Sequence, residues 1–304
     1  MVPKPASTPN WNLDGPLLLV GAGKMGSAML SGWLAAGLKP QDVLVQEPHP
    51  SQDAIALCRA HHVALAPAHV PSRAPSVLVM AVKPQTMGDV FPAVAKIAGA
   101  NTITLSIAAG KSIASFAQHL APGSAVVRAM PNTPAAIGRG MTVLCANAHT
   151  TAAQSRLCED LMRASGDIGW IDDESLMDAV TAVSGSGPAY VFLLAEAMAQ
   201  AGIKAGLAPA LAMELARATI AGSGELMRRS DLDAATLRQN VTSPGGTTAD
   251  PGAKCCAKLA MGLPAAIESV IVFAPEIFAT AGNTSPIVCG LTAMTRTDGA
   301  RDGT

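Results

Sequence analysis

The stretch LLLVGAGKMGSAMLSGWLAAG opens as a short apolar run, breaks at Gly21, Gly23 and Gly26, and continues with the spacing of a helix. A strand that feeds a glycine turn and then a helix is the first unit of a mostly parallel sheet covered by helices on both faces. Each glycine has a separate use in such a turn. Gly21 permits the sharp change of direction, Gly23 lets a pyrophosphate come close to the backbone, and Gly26 lets the helix lie against the strand. The start of the helix adds N–H groups and the positive end of its dipole, with Lys24 and Met25 in the first turn. Gly21, Gly23, Lys24, Met25 and Gly26 are therefore the first candidate residues for holding a dinucleotide.

The same alternation continues downstream in VLVQ, VLVMAV, TITLSI, AVVRAM and MTVLCA, each separated from the next by a helical stretch or a turn. Short buried strands alternating with helices predict an α/β, Rossmann-like domain over 16–172. After residue 173 the texture changes to Ala, Leu, Met and Glu at helical spacing, which predicts an all-helical domain over 173–275. Segments such as AYVFLLAEAM are apolar around the whole circumference, and this predicts burial against a second subunit. Residues 1–15 read as a flexible Pro-rich tail and residues 276–304 as an atypical C-terminal tail.

Several strand ends carry chemistry. Glu47, after VLVQ, stands where an acid would bind the adenosine ribose hydroxyls of NAD, and it would repel the 2′-phosphate of NADP. His49, Ser51 or Arg59 could still reach such a phosphate, so both NADH and NADPH stay open. In MAVKPQ the proline ends the strand, which places Ala81, Val82, Lys83 and Pro84 in a turn at the carboxyl edge of the sheet. That is the cofactor edge; SIAAG brings Ala108 to it and RAMPNTP brings Asn132, so Ala81, Val82, Lys83, Pro84, Ala108 and Asn132 are further candidates for binding the cofactor. In the helical domain, SGSGPAY (184–190) and TSPGGTT (242–248) read as Ser/Gly/Pro loops at helix starts, able to present N–H groups and hydroxyls to a carboxylate.

The ordered series GAGKMG, AVKP, AAG, RAMPNTP, SGSGPAY and VTSPGGTT resembles the Δ1-pyrroline-5-carboxylate reductase family over about residues 17–248. The resemblance implies an NAD(P)H-dependent oxidoreductase acting on a CH–NH group, which reduces 1-pyrroline-5-carboxylate to L-proline at the end of proline biosynthesis. It implies an interlocked homodimer, which in the family is often assembled further into larger rings. It also implies that the backbone of Gly245, Gly246, Thr247 and Thr248 holds the substrate carboxylate. The Thr248 hydroxyl would meet the ring nitrogen and serve as the candidate catalytic proton donor, directly or through water, and Ser184 would line the other wall. Two other readings stay beside this one: a nucleotide-binding relative without turnover, and a β-hydroxyacid-dehydrogenase-like enzyme. Against the latter, PAYVFLLAEAMAQA contains no lysine, the residue such enzymes place there.

The chain departs from the family pattern just after the glycine loop. Asp250, Pro251 and Gly252 stand where a helix should gain its first turns, and Gly and Pro both weaken a helix interior. Under one choice of codons, KCCAKLAMG read in a shifted frame gives Val-Leu-Arg-Lys-Ala-Gly-Asp-Gly, a plausible helix and turn. We read the departure as a compensated frameshift over about 250–261 and an uncompensated one after about 272. A gene sequence that encodes these residues in a single unshifted frame would overturn that reading.

Composition excludes several classes. A net charge of −1 with no basic stripe gives no reason to expect nucleic acid or an anionic membrane as partner. The six cysteines lack zinc-knuckle or redox-pair spacing, so structural thiols and no metal are expected. No apolar run of signal-peptide length opens the chain, which points to the cytoplasm.

Overall fold

The computed structural model describes residues 11, 13–68 and 71–241. Among these residues the chain divides into two compact units, a sheet unit up to Ser186 and a helical unit from Gly187.

Among the described residues the sheet unit has eight strands: β1 (Leu17–Val20), β2 (Val43–Gln46), β3 (Ala64–Ala66), β4 (Val77–Met80), β5 (Ile103–Ser106), β6 (Ala125–Met130), β7 (Gly140–Ala146) and β8 (Gly166–Trp170). Their order is β3-β2-β1-β4-β5-β6-β7-β8. The first six run parallel, with Leu17 opposite both Val43 and Val77. β7 runs antiparallel to β6 and β8 runs parallel to β7, so the last two strands are reversed as a pair. The covering helices are α1 (Lys24–Ala35), α2 (Gln52–His61), α3 (Met87–Ala95), α4 (Ile113–Ala117) and α5 (Ala152–Arg163).

Alternate residues of the apolar strands serve two separate cores, as the pleat requires of a sheet covered on both faces. Leu17, Leu19, Val43, Val45, Val77 and Val79 pack with Met29, Leu30 and Trp33 of α1 and with Cys158, Leu161 and Met162 of α5. Leu18, Val20, Leu78 and Met80 face the other way, toward Phe91 and Phe116. Those two rings meet edge to face with centroids 4.9 Å apart, a favoured aromatic geometry. Trp33 is fully buried, and its Nε1–H donates to the Leu161 carbonyl at 2.8 Å, which ties α1 to α5. A capping box of Thr151 and Gln154 starts α5.

The sequence reading overlooked β3 and β8. Trp11 and Gly15, expected in the flexible tail, are held in place: Trp11 Nε1–H donates to the Ala36 carbonyl at 3.1 Å, and Gly15 N–H donates to the Ser76 hydroxyl. Residues 1–10 and 276–304 lie outside the described residues.

After β8 come a 3₁₀ turn (Glu174–Leu176), α6 (Met177–Val180) and a π-helical turn (Thr181–Gly185). These pack with the sheet unit, so the contact division falls at Ser186/Gly187 and not at 172/173. The tie is the buried Arg128 on β6, whose Nη1 lies 3.0 Å from Glu174 Oε1. Among the described residues the helical unit carries α7 (Gly187–Lys204), α8 (Pro209–Arg229) and α9 (Ala234–Asn240). α7 and α8 approach closely through small residues: a Cβ added at Gly202 would meet Leu207 at 3.1 Å and Ala212 at 3.3 Å.

Candidate active site

The carboxyl ends of β1 to β6 share one edge of the sheet, and that edge gathers the residues singled out in the sequence. At the end of β1, Gly21 adopts φ +101°, and a Cβ there would meet the Ala81 carbonyl at 2.7 Å. A Cβ at Gly26 would run into the Gly21 carbonyl. Gly23 differs, because a Cβ there would meet nothing within 4 Å. The turn is thus closed behind by two obligatory glycines and open in front at the third. Gly23 also caps α1, with no side-chain cap and no acidic residue in the first turn. The first N–H groups of the helix therefore lack the carboxylate or hydroxyl that often satisfies them, which suits a phosphate approaching from the open side. Lys24 is exposed and Met25 half-buried at this helix start. These features fit the pyrophosphate of a dinucleotide.

Glu47 is turned toward the glycine turn. Its Oε2 accepts the Ala22 N–H at 2.9 Å and its Oε1 accepts the His49 N–H at 3.0 Å. A carboxylate held by two backbone donors is fixed in place while each oxygen keeps a lone pair for a further donor, such as a ribose hydroxyl.

Ala81 continues the β4 pairing, with its N–H donating to the Val20 carbonyl at 2.8 Å. After it, Val82 and Pro84 are half-buried and Lys83 is exposed. Ala108 is buried at the end of β5, and its N–H donates to the Ser106 hydroxyl at 3.2 Å.

Asn132 follows β6 and is held at both ends of its side chain. Its Oδ1 accepts the Met141 N–H at 2.9 Å, and its Nδ2 donates to the Ser184 hydroxyl at 3.2 Å. Ser184 itself sits in the π-helical turn, not in the open loop that its Ser/Gly/Pro surroundings predict. The Ser186 N–H, expected to be available, donates to the Thr181 carbonyl at 2.8 Å. Helix is possible here because Gly185 accommodates Met130 of β6, whose side chain occupies the space of a Cβ, and because Pro188 falls in the first turn of α7, where its missing N–H costs nothing. Single π turns of this kind occur often at functional sites.

The sequence reading missed the network beneath this turn. Glu174 Oε1 accepts both the Arg128 guanidinium and the Ile113 N–H, and Asp178 lies 4.0 Å from Arg128. The available signal was the arginine inside the apolar run AVVRAM, since a buried guanidinium needs an acid nearby. Gly245, Gly246, Thr247 and Thr248 lie outside the described residues.

Other features stand away from this edge. A cavity of about 730 Å³ opens at the amino ends of β4 and β5, between Arg73, Asn101 and Arg156. Among the described residues, no three His, Cys, Asp or Glu side chains cluster as a metal site would require. Cys58, Cys145 and Cys158 are buried thiols, and burial pushes Cys158 up to about 12. No helix among the described residues is long and apolar enough to cross a membrane.

A glycine turn after β1, a helix start open to phosphate and an acid at the end of β2 define a dinucleotide-dependent oxidoreductase of Rossmann type. Comparison with known proteins agrees. Residues 17–110 match the family model "NADP oxidoreductase coenzyme F420-dependent", and residues 174–271 match "Pyrroline-5-carboxylate reductase dimerisation". The pyrroline-5-carboxylate reductase of Pseudomonas aeruginosa is 41% identical over 233 residues, covering 76% of this chain and 85% of its own. That of Mycobacterium tuberculosis is 40% identical over 259 residues, covering 77% and 86%. Among solved structures, a pyrroline-5-carboxylate reductase from Coxiella burnetii superposes with a TM-score of 0.77 at 30% identity, covering 86% of this chain and 98% of its own. A Plasmodium falciparum pyrroline carboxylate reductase with NADP bound gives 0.73 at 28% identity, covering 89% and 99%. The chain belongs to the pyrroline-5-carboxylate reductase family. The family match runs through residues 250–261 and ends at residue 271, next to the second departure from the expected pattern, after about 272.

Proposed function

We propose that the protein reduces 1-pyrroline-5-carboxylate to L-proline with NADPH or NADH, the last step of proline biosynthesis. The observation that carries this reading is the single edge that joins an open phosphate cradle at Gly23 to a neutral polar pair, Asn132 and Ser184. Bound NAD(P)H supplies the hydride for the imine carbon. Gly21, Gly23, Gly26 and the first turn of α1, with Lys24 and Met25, hold the pyrophosphate. Glu47 takes the adenosine ribose, and Ala81, Val82, Lys83, Pro84 and Ala108 form the wall beside the cofactor, with Asn132 further along the edge. Gly245, Gly246, Thr247 and Thr248 hold the carboxylate, and Thr248 delivers the proton to the ring nitrogen, directly or through water. The protein's share of the rate is alignment and donor placement rather than strong acid catalysis.

The working form is a homodimer, supported by the apolar side chains the helical unit exposes, with assembly into a larger ring as a further step. The compartment is the cytoplasm, in keeping with the buried, unpaired thiols. The test is loss of nicotinamide absorbance with purified full-length protein and 1-pyrroline-5-carboxylate, using NADPH and NADH in parallel. Turnover that falls about a hundredfold in Thr248→Ala supports the reading, on the scale of a lost positioned proton donor. A folded protein that binds nucleotide but shows no turnover overturns it in favour of an inactive relative.

A further inference from the structure

We propose that Asn132 is a positioning residue that fixes the direction of the Ser184 hydroxyl, so that Ser184 offers its proton, and not a lone pair, to the substrate carboxylate. The inference rests on the reductase reading above.

The argument begins with what each group can do. A backbone N–H only donates, so the Met141 N–H fixes the Asn132 amide with its oxygen toward β7. The amide nitrogen then faces Ser184, and an amide NH₂ only donates. Ser184 Oγ must accept on that side, which turns its own proton elsewhere. Among the described residues that proton has no acceptor: the bond from Asn132 is the one the Ser184 side chain makes. An available hydroxyl proton at the edge where an anionic substrate binds is a directed donor.

The surrounding structure keeps this arrangement in register. Asn132 stands between the end of β6 and the start of β7, and the antiparallel pairing of those strands places the Met141 N–H at the cofactor edge. On the other side, Arg128 and Glu174 anchor the segment that leads into the π turn. The widened turn is closed by the Ser186 N–H bond to the Thr181 carbonyl, so Ser184 is held by its backbone as well as by Asn132. A donor fixed in this way needs little reorganisation when the anion arrives, which is what makes preorganised dipoles effective.

The test is a double-mutant cycle on the full chain with Asn132→Ala, Ser184→Ala and both together, read by steady-state kinetics with 1-pyrroline-5-carboxylate and by fluorescence titration of NADPH or NADH. Each single change is expected to lower kcat/KM for the imine acid about tenfold, as for one hydrogen bond to a charged group. The double variant falls no further than Ser184→Ala, and nucleotide affinity moves less than about twofold. Asn132→Asp keeps the acceptor for Met141 but must take a proton from Ser184, so it loses at least as much as Ser184→Ala despite an intact fold. This variant also decides the matter if Asn132→Ala does not fold. Losses that add in the double variant, or a loss confined to nucleotide affinity, overturn the proposal. Wild-type protein without turnover overturns the reductase reading itself, and this inference with it.

Discussion

In the sheet unit, Leu17, Leu18, Leu19, Leu78 and Trp33 have no exposed surface, whereas the buried positions among the described residues of the helical unit are three alanines, Ala199, Ala212 and Ala216. The helical unit also exposes Phe192 (62%), Leu226 (58%), Met227 (52%) and Val241 (68%). The sheet unit buries most of its large apolar side chains within itself, Ile137, Leu176 and Val183 being exposed. Among its described residues, the other buries small ones where two helices meet and exposes several of its large ones. The difference teaches that these two parts of one chain reach stability by different routes, the first by its own core and the second by burial beyond what its described residues supply among themselves.

Three measurements would break or sharpen that contrast. The largest effect is expected from Trp33→Ala, which empties the α1–α5 contact and orphans the Leu161 carbonyl. It should cost about 3–5 kcal/mol in denaturant unfolding, independent of protein concentration. A concentration-dependent loss would mean that the sheet unit also relies on a partner. Next, Phe192→Ser should leave the unfolding of the sheet unit unchanged while weakening self-association by about 2 kcal/mol, or roughly thirtyfold in the dissociation constant, by analytical ultracentrifugation. An unchanged dissociation constant would remove Phe192 from the interface and weaken the contrast. The smallest effect concerns the end of α8. There the Glu225 carboxylate, hydrogen-bonded by Arg228 and Arg229, is held down to about 2 from an ordinary value of 4.5. A carboxylate with a depressed folded-state value contributes stability that is fully present above its ordinary range and is lost as pH falls toward 2. Far-ultraviolet circular dichroism between pH 6 and 2 should therefore show less acid loss of helix in Glu225→Gln than in wild type. Because the pair is exposed and screened, the difference should be small.

How much of this was legible beforehand depended on how local the cause was. The strand, glycine turn and helix of residues 17–35 could be read directly, because period and punctuation lie within one short window. β3 escaped notice: Ala64–Ala66 is a three-residue edge strand, too short to show a period of its own. β8 carries glycines at 166 and 169, which read as loop, and it is held by β7 rather than by its own propensity. The π turn was mistaken for a loop because Gly185 and Pro188 are usually breakers, while here one admits Met130 and the other begins α7. Asn132 and Ser184 were each picked out as site residues, but the bond between them spans a long stretch of sequence that no local pattern records. The same holds for Glu47, whose position at a strand end was readable but whose hold on Ala22 was not.

The reversal of β7 has one more consequence. Six parallel strands each need a long crossover to return, and such crossovers tolerate insertions. The return from β6 to β7, residues 131–139, instead stays on the candidate active edge and winds through a 3₁₀ turn (Thr133–Ile137), with Asn132 near its start and Met141 just past its end. Over that stretch chain length is under tighter constraint than residue identity. One added residue there would carry the amide out of reach of both its neighbours, so this turn should be among the segments of the sheet unit least able to vary in length over evolution.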